Sequence, residues 1–247
     1  MRGQLLVLAL LGMSTASATA QDVRQDPPPY RGPVTRVSGV FVTPIGGAPF
    51  SATVSIESEQ QLPDGTVTKK HTMNVIARDS SGRIHNERRV LVGAAFNGEP
   101  PLISVHLFDP ATRISDFYNP ATLICTEQVL PPPTDPASAM NNPNAEDLGV
   151  RTMSGLEAKG TRIARTVPAQ VSGTGQPVEI VDETWYSEDL HINLLERHTD
   201  PRNGVQTVTI TSITRNDPDP ALFAVPANYK IVDMTPPAEA PVAQVRR

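Results

Sequence analysis

Apolar and polar residues alternate along most of this chain in short runs, and the runs are broken by Asp-Gly, Ser-Gly and Asp-Pro pairs. A period of two punctuated by turn residues predicts β-strands in succession. The clearest case surrounds Leu62-Pro63-Asp64-Gly65-Thr66. Asp-Gly suits a two-residue type I′ hairpin turn. Placing it there sets Leu62 opposite Val67, Ile56 opposite Met73, Val54 opposite Val75 and Ala52 opposite Ala77. One face of the ribbon is then apolar, and the other sets Thr53, Ser55, Glu57 and Glu59 against Thr68, Lys70 and Thr72. His71, opposite Ser58, interrupts the apolar face, either where the ribbon overhangs its core or as a polar lip on a cavity.

Further strands are predicted over 84–92, 102–108, 113–118, 123–129, 161–167, 178–187, 191–199 and 205–214. Turns fall at Arg78-Asp79-Ser80-Ser81-Gly82-Arg83, at Asp109-Pro110-Ala111-Thr112 and at Asp200-Pro201-Arg202-Asn203-Gly204. Asp219-Pro220-Ala221-Leu222-Phe223 reads as one helical turn, with Asp219 as its cap and Pro220 at its first position. Strands following strands through short turns favour an antiparallel meander over βαβ units. The expected fold is mainly β: a strongly curved antiparallel sheet or open half-barrel with short helical segments, with a β-sandwich as the alternative.

The start of the chain reads as an address. Met1-Arg2 is followed by the apolar run from Leu5 to Met13 and then by Ala18-Thr19-Ala20, a cleavage pattern that would leave Gln21 first. Residues 1–20 are therefore expected to be a signal peptide, and the mature chain periplasmic or secreted. Residues 21–35, with Pro27-Pro28-Pro29, read as an extended arm, and 236–247 as a matching tail. Between them lies a single β-rich domain, 36–235. A Pro- and Asn-rich loop over 130–147 divides it into two halves.

Composition narrows the function more by exclusion than by assignment. The net charge of -5 argues against a general nucleic-acid binder and against docking on anionic lipid by charge alone. The chain has 25 prolines and one cysteine, Cys125. A lone thiol forms no internal disulfide, and Cys125 is expected to be buried as a small apolar group. No G-x-S-x-G, H-E-x-x-H, C-x-x-C or phosphate-binding loop is present, and no catalytic residue, metal site or cofactor is assigned. Glu196, His198 and Asp200 alternate along one strand, with His191 on the opposite parity. A solvated strand end accounts for them better than a metal site does. His85 and Glu87 share a face, where cross-strand ion pairing serves as well as acid–base chemistry. Trp185 reads as a core anchor or, alternatively, a platform for a ligand.

Several segments together resemble a family of uncharacterised exported proteins of environmental bacteria. They are Leu62-Pro63-Asp64-Gly65-Thr66, the 78–83 turn, Gly160-Thr161-Arg162, Glu183-Thr184-Trp185-Tyr186-Ser187, Arg197-His198-Thr199-Asp200-Pro201-Arg202 and Asp219-Pro220-Ala221-Leu222-Phe223-Ala224-Val225-Pro226. That resemblance implies no activity. More distantly, the layout resembles the periplasmic lipoprotein-carrier superfamily. The shared points are a signal peptide, successive antiparallel strands and the closing Leu222-Phe223-x-Val225-Pro226-x-x-Tyr229. It implies a curved sheet that holds acyl chains beneath helices, although no long amphipathic helix is read in this chain. The leading expectation is thus a non-catalytic protein binding a lipid, lipoprotein or hydrophobic peptide on the concave face of its sheet. The face would be lined by Val54, Ile56, Met73, Val75 and Trp185. A structural or protein-interaction module of the cell envelope is the alternative, with edge strands or proline segments as its contacts. A metal-dependent hydrolase ranks below both.

Overall fold

The computed structural model describes residues 39–62, 64–132 and 145–236. The expected signal peptide and proline-rich arm, most of the expected 130–147 loop and nearly all of the expected tail lie outside the described residues. Thirteen strands form one sheet: β1 Phe50–Gln61, β2 Val67–Arg78, β3 Ile84–Arg89, β4 Val92–Gly93, β5 Leu102–Phe108, β6 Ile114–Asn119, β7 Ile124–Val129, β8 Ala145–Met153, β9 Leu156–Val167, β10 Val178–Ser187, β11 Ile192–Asp200, β12 Gly204–Thr214 and β13 Lys230–Asp233. Their order is β13-β7-β6-β5-β3-β2-β1-β12-β11-β10-β9-β8, with β4 beside β2. The ends of this order do not pair with each other, so the sheet is an open half-barrel. Its curl brings distant turns together: Ser154 Oγ, between β8 and β9, donates to the Ile210 carbonyl of β12 at 3.1 Å. The helical pieces are α1, Ala169–Ser172, and a 3₁₀ turn, Pro220–Phe223, whose cap is the predicted Asp219 side chain accepting from the Ala221 amide.

The two β-rich halves share this one sheet through β1 and β12, where Val54 lies opposite Ile210 and Ile56 opposite Val208. A two-sheet sandwich is therefore not formed. The ladder is antiparallel except that β13 runs parallel to β7. The strand expected over 84–92 is split, because a bulge at Arg88/Arg89 ends β3 early. Residues 145–147, expected to be loop, begin β8. That edge strand is mostly exposed, and its polar and apolar residues do not alternate regularly, so it lacks the pattern by which a strand is read.

The β1–β2 register differs by one from the expected one. Gln61 faces Val67, Ile56 faces Thr72, Val54 faces Asn74 and Ala52 faces Ile76. The Leu62 amide donates to Thr66 O at 2.7 Å, the Gly65 amide to Leu62 O at 2.9 Å, and Gly65 has φ +85. The loop is thus one residue longer than a type I′ turn, with glycine at the left-handed bulge position. A one-residue slip turns every β2 side chain over. Thr72, Asn74, Ile76 and Arg78 join the face of Val54 and Ile56, whereas Met73 and Val75 lie on the other.

Two apolar clusters follow from the pairing. The main core gathers Phe50, Ala52, Val54, Ile56, Ile76, Ile84, Val208 and Ile210 with Leu156, Trp185, Ile192 and Leu194. Val40 and Val42 of the leading segment, 39–49, are seated among them. The smaller cluster, Val105, Leu107, Tyr118 and Cys125, is covered by Val225 and Tyr229. Register partners run in rows across the sheet, one of them Phe50, Arg78, Ile84, Phe108, Ser115 and Gln128. The adjacent row, on the opposite face, is Ala77, His85, Leu107, Asp116 and Glu127. The smaller cluster therefore lies on the face opposite the one that Phe50 and Ile84 give to the main core.

Leu123, in the β6–β7 turn, has φ +53, a left-handed conformation costly for a residue with a Cβ. Leu123→Gly is expected to raise unfolding free energy by roughly 0.5–1 kcal/mol in denaturant titration. A loss of stability would show that the Leu123 side chain outweighs its backbone strain.

Candidate functional site

The residues singled out in the sequence divide into two groups. Val54, Ile56 and Trp185 come together in the main core, at 1%, 0% and 7% exposure. Trp185 is a packed anchor: its Nε1–H donates to Glu183, the Arg151 guanidinium stacks 3.7 Å from its ring, and its ring fills the space a Cβ at Gly160 would need. Met73 is 48% exposed and, with Val75, faces the opposite way. His198 is engaged with Asp182 at 2.6 Å, Glu196 accepts from Asn193, and His191 meets the Tyr186 hydroxyl. Asp200 is buried and accepts from Arg202 and Asn203 in its own turn. No group of three or more His, Cys, Asp or Glu able to hold a metal occurs among the described residues.

A site that sequence reasoning missed lies on the face of the smaller cluster. A cavity of about 220 Å³ opens between the 3₁₀ turn and strands β5, β6 and β7. Leu107, Ile114 and Phe223 supply apolar wall, Asp116 and Glu127 carboxylates, and Arg83 a guanidinium. Three strands place these groups. Leu107 of β5 is the register partner of Asp116 of β6, which is the partner of Glu127 of β7. Phe223 reaches them because His85 Nδ1–H donates to the Leu222 carbonyl at 2.7 Å, fixing the 3₁₀ turn against β3. Arg83 holds the ring of Phe223 from above, 5.0 Å from its centroid, while its Nε–H donates to Asp79 at 2.6 Å.

The electrostatics of this wing are uneven. Burial raises the Glu87 carboxyl, but the His85 ring 3.8 Å away, the Arg89 guanidinium and the Val75 amide, the last two donating to it at 2.9 and 3.2 Å, outweigh it and hold the group at about 2. Burial instead raises Asp116, with only a weak opposing bond from the Cys125 thiol. Cys125 is itself pushed up to about 12 by burial and by Asp116, so it is a buried, protonated thiol, inert as a nucleophile. Two carboxylates directly opposite on neighbouring strands destabilise a sheet. The only hint of this in the sequence is an acid in each of two paired strands, visible once their register is known.

The other face of the same strands is open. Phe117 stacks on His106 with centroids 4.1 Å apart and remains 46% exposed, and Ile124 lies beside it in β7 at 40%. At the sheet edge Ile231 and Met234 are more exposed still, with Ile231 on the face of its register partner Cys125.

No protein-family model matches the chain, and no curated protein matches it. Solved structures of similar shape do. An uncharacterised conserved protein from Thermus thermophilus is 10% identical with a TM-score of 0.42, over 75% of this chain and 90% of that one. The MucA/MucB complex of Pseudomonas aeruginosa includes a chain 12% identical with a TM-score of 0.39. The match covers 74% of this chain and 58% of that one. A LolA superfamily protein from Nitrosomonas europaea is 10% identical with a TM-score of 0.30, over 72% and 90%.

Stability should depend on pH through the two carboxyls in opposite senses. Glu87 lies at about 2 against its ordinary 4.5, so its contribution is complete above about 4.5 and is lost as pH falls towards 2. Asp116 is held above its ordinary 3.8, so its contribution is greatest below that value and is lost as pH rises through the folded-state value. Glu87→Gln is expected to cost on the order of 3 kcal/mol near neutral pH and little near pH 2. Asp116→Asn is expected to stabilise near neutral pH and to change nothing in strong acid. Denaturant titrations at several pH values check both. Equal effects at all pH values would contradict the assigned environments.

Proposed function

We propose that the mature chain is an exported, non-catalytic binding protein of the cell envelope, whose partner is a hydrophobic segment of another protein. The contact surface is the wing of β5, β6, β7 and β13. One observation carries this reading. The main core is filled by its own residues, with Val40 and Val42 at 3% and 2% exposure against Val54 and Ile56, whereas the wing leaves Phe117, Ile124, Ile231 and Met234 open. Phe117 and Ile124 lie open near each other on one face of the wing, and neighbouring exposed apolar residues mark an interaction site more often than a fault in folding. Among the described residues β13 also presents a free edge, to which an extended segment can add. No helix among the described residues is long and apolar enough to cross a membrane. A lipid or lipoprotein held in a deep concavity needs the leading segment to leave the main core.

A photo-reactive amino acid placed at Phe117 or Ile231, with Thr53 as the control, tests this in cells of the native host. A discrete cross-linked protein from the wing positions and none from Thr53 is expected. Native mass spectrometry of the protein purified without detergent decides the rest. A stoichiometric lipid adduct with no cross-linked protein would replace the proposal with the carrier reading.

A further inference from the structure

We infer that the cavity between the 3₁₀ turn and strands β5–β7 receives the cationic side chain, lysine or arginine, of a protein partner. This rests on the reading of the chain as a protein-binding module and names one contact of that binding.

The lining has two parts in the order such a side chain needs. Leu107, Ile114 and Phe223 offer apolar contact for a methylene stem, and Asp116 with Glu127 offers carboxylate acceptors for its charged end. The volume of about 220 Å³ suits one long side chain and falls below the usual range for drug-sized ligands, about 300–1,000 Å³.

Among the described residues, the negative charge is not neutralised from within. Arg83 is the one basic residue lining the cavity, and its guanidinium is engaged by Asp79 and stacked on Phe223. Cys125 reaches Asp116 only as a weak thiol donor at 3.6 Å. Asp109, also in the lining, spends its carboxylate on its own turn, accepting from Ala111 at 2.8 Å. Asp116 and Glu127 therefore face each other across two strands as like charges, an arrangement that costs stability and that no folding requirement explains. Groups that break a local rule in this way, inside a cavity, are where function is expected. Burial holds Asp116 above its ordinary value, as an acid lacking a cation should be. Metal chemistry fits less well, because the described residues offer no three-ligand group.

The test uses the mature protein and blocked single residues as probes: N-acetyl-lysine methylamide, its arginine counterpart and the neutral norleucine analogue. Side-chain NMR signals of Leu107, Ile114 and Phe223 report occupancy. Saturable shifts with the lysine or arginine probe are expected, with binding weaker by about tenfold or more for norleucine and for the Asp116→Asn/Glu127→Gln variant. Should that variant fail to fold, Glu127→Gln alone, at a position only partly buried, carries the comparison. No shift, equal shifts with norleucine, or unchanged binding in the variants would overturn the inference. So would shifts with putrescine or calcium when both blocked cations give none. A partner cross-linked through Phe117 with no cation binding would sink this inference and leave the proposed function standing. Cation binding without a cross-linked partner would fall on the proposed function instead.

Discussion

The structure depends on the guanidinium of Arg78. It is fully buried, and among the described residues no carboxylate forms a salt bridge with it. Its Nε and Nη2 donate to the Ala48 carbonyl at 2.9 and 2.7 Å, Nη1 to Thr43 at 2.7 Å, and Nη2 also to Leu190 at 2.9 Å. The Phe50 ring lies 5.1 Å below it. A buried charge is tolerated only where fixed dipoles replace its water, and three carbonyls and an aromatic face do so here. From β2 this one side chain ties the leading segment to the β10–β11 turn, parts of the chain more than a hundred residues apart. Lysine, a point charge with three donors, cannot reproduce a planar fork aimed at carbonyls in different directions.

That fork decides which part of the sheet is free. The leading segment makes few backbone bonds to the sheet and is fastened mainly through side chains: Arg78, Asn86 to the Val40 carbonyl, and Thr43 to the His191 carbonyl. So fixed, it seats Val40 and Val42 and closes the main core. Beyond β3 the burial passes to the opposite face, where His85, Phe223 and Tyr229 close the smaller cluster around an unneutralised pair of acids. The wing therefore has one face partly open and apolar and the other holding a small acidic cavity. The division between a packed half and a more open half follows from where two short irregular segments are pinned.

Much of this architecture was legible in the sequence. β5 and β10 fall where alternation placed them, Asp219 caps its turn, and Cys125 and Trp185 are buried. Alternation reports the environment of a strand, and it fails where the environment is unusual. β8 is an exposed edge and was hidden among polar residues. The Asp64-Gly65 pair marked the place of the first hairpin, but its loop is one residue longer than expected, and the slip moved Met73 and Val75 off the face of Val54 and Ile56. Arg78 lay unread at the head of a polar turn, since its role comes from carbonyls distant in sequence. The acidic pair was equally hidden, because only the β6–β7 register makes Asp116 and Glu127 neighbours.

Arg78→Lys tests the central constraint, with equilibrium denaturation followed by the fluorescence of Trp185, the only tryptophan of the chain. The fork account predicts a loss of at least about 3 kcal/mol, since several buried carbonyls lose their donor at a cost near 1–3 kcal/mol each. A variant within about 1 kcal/mol of the wild type would contradict it and show that packing alone holds the leading segment in place.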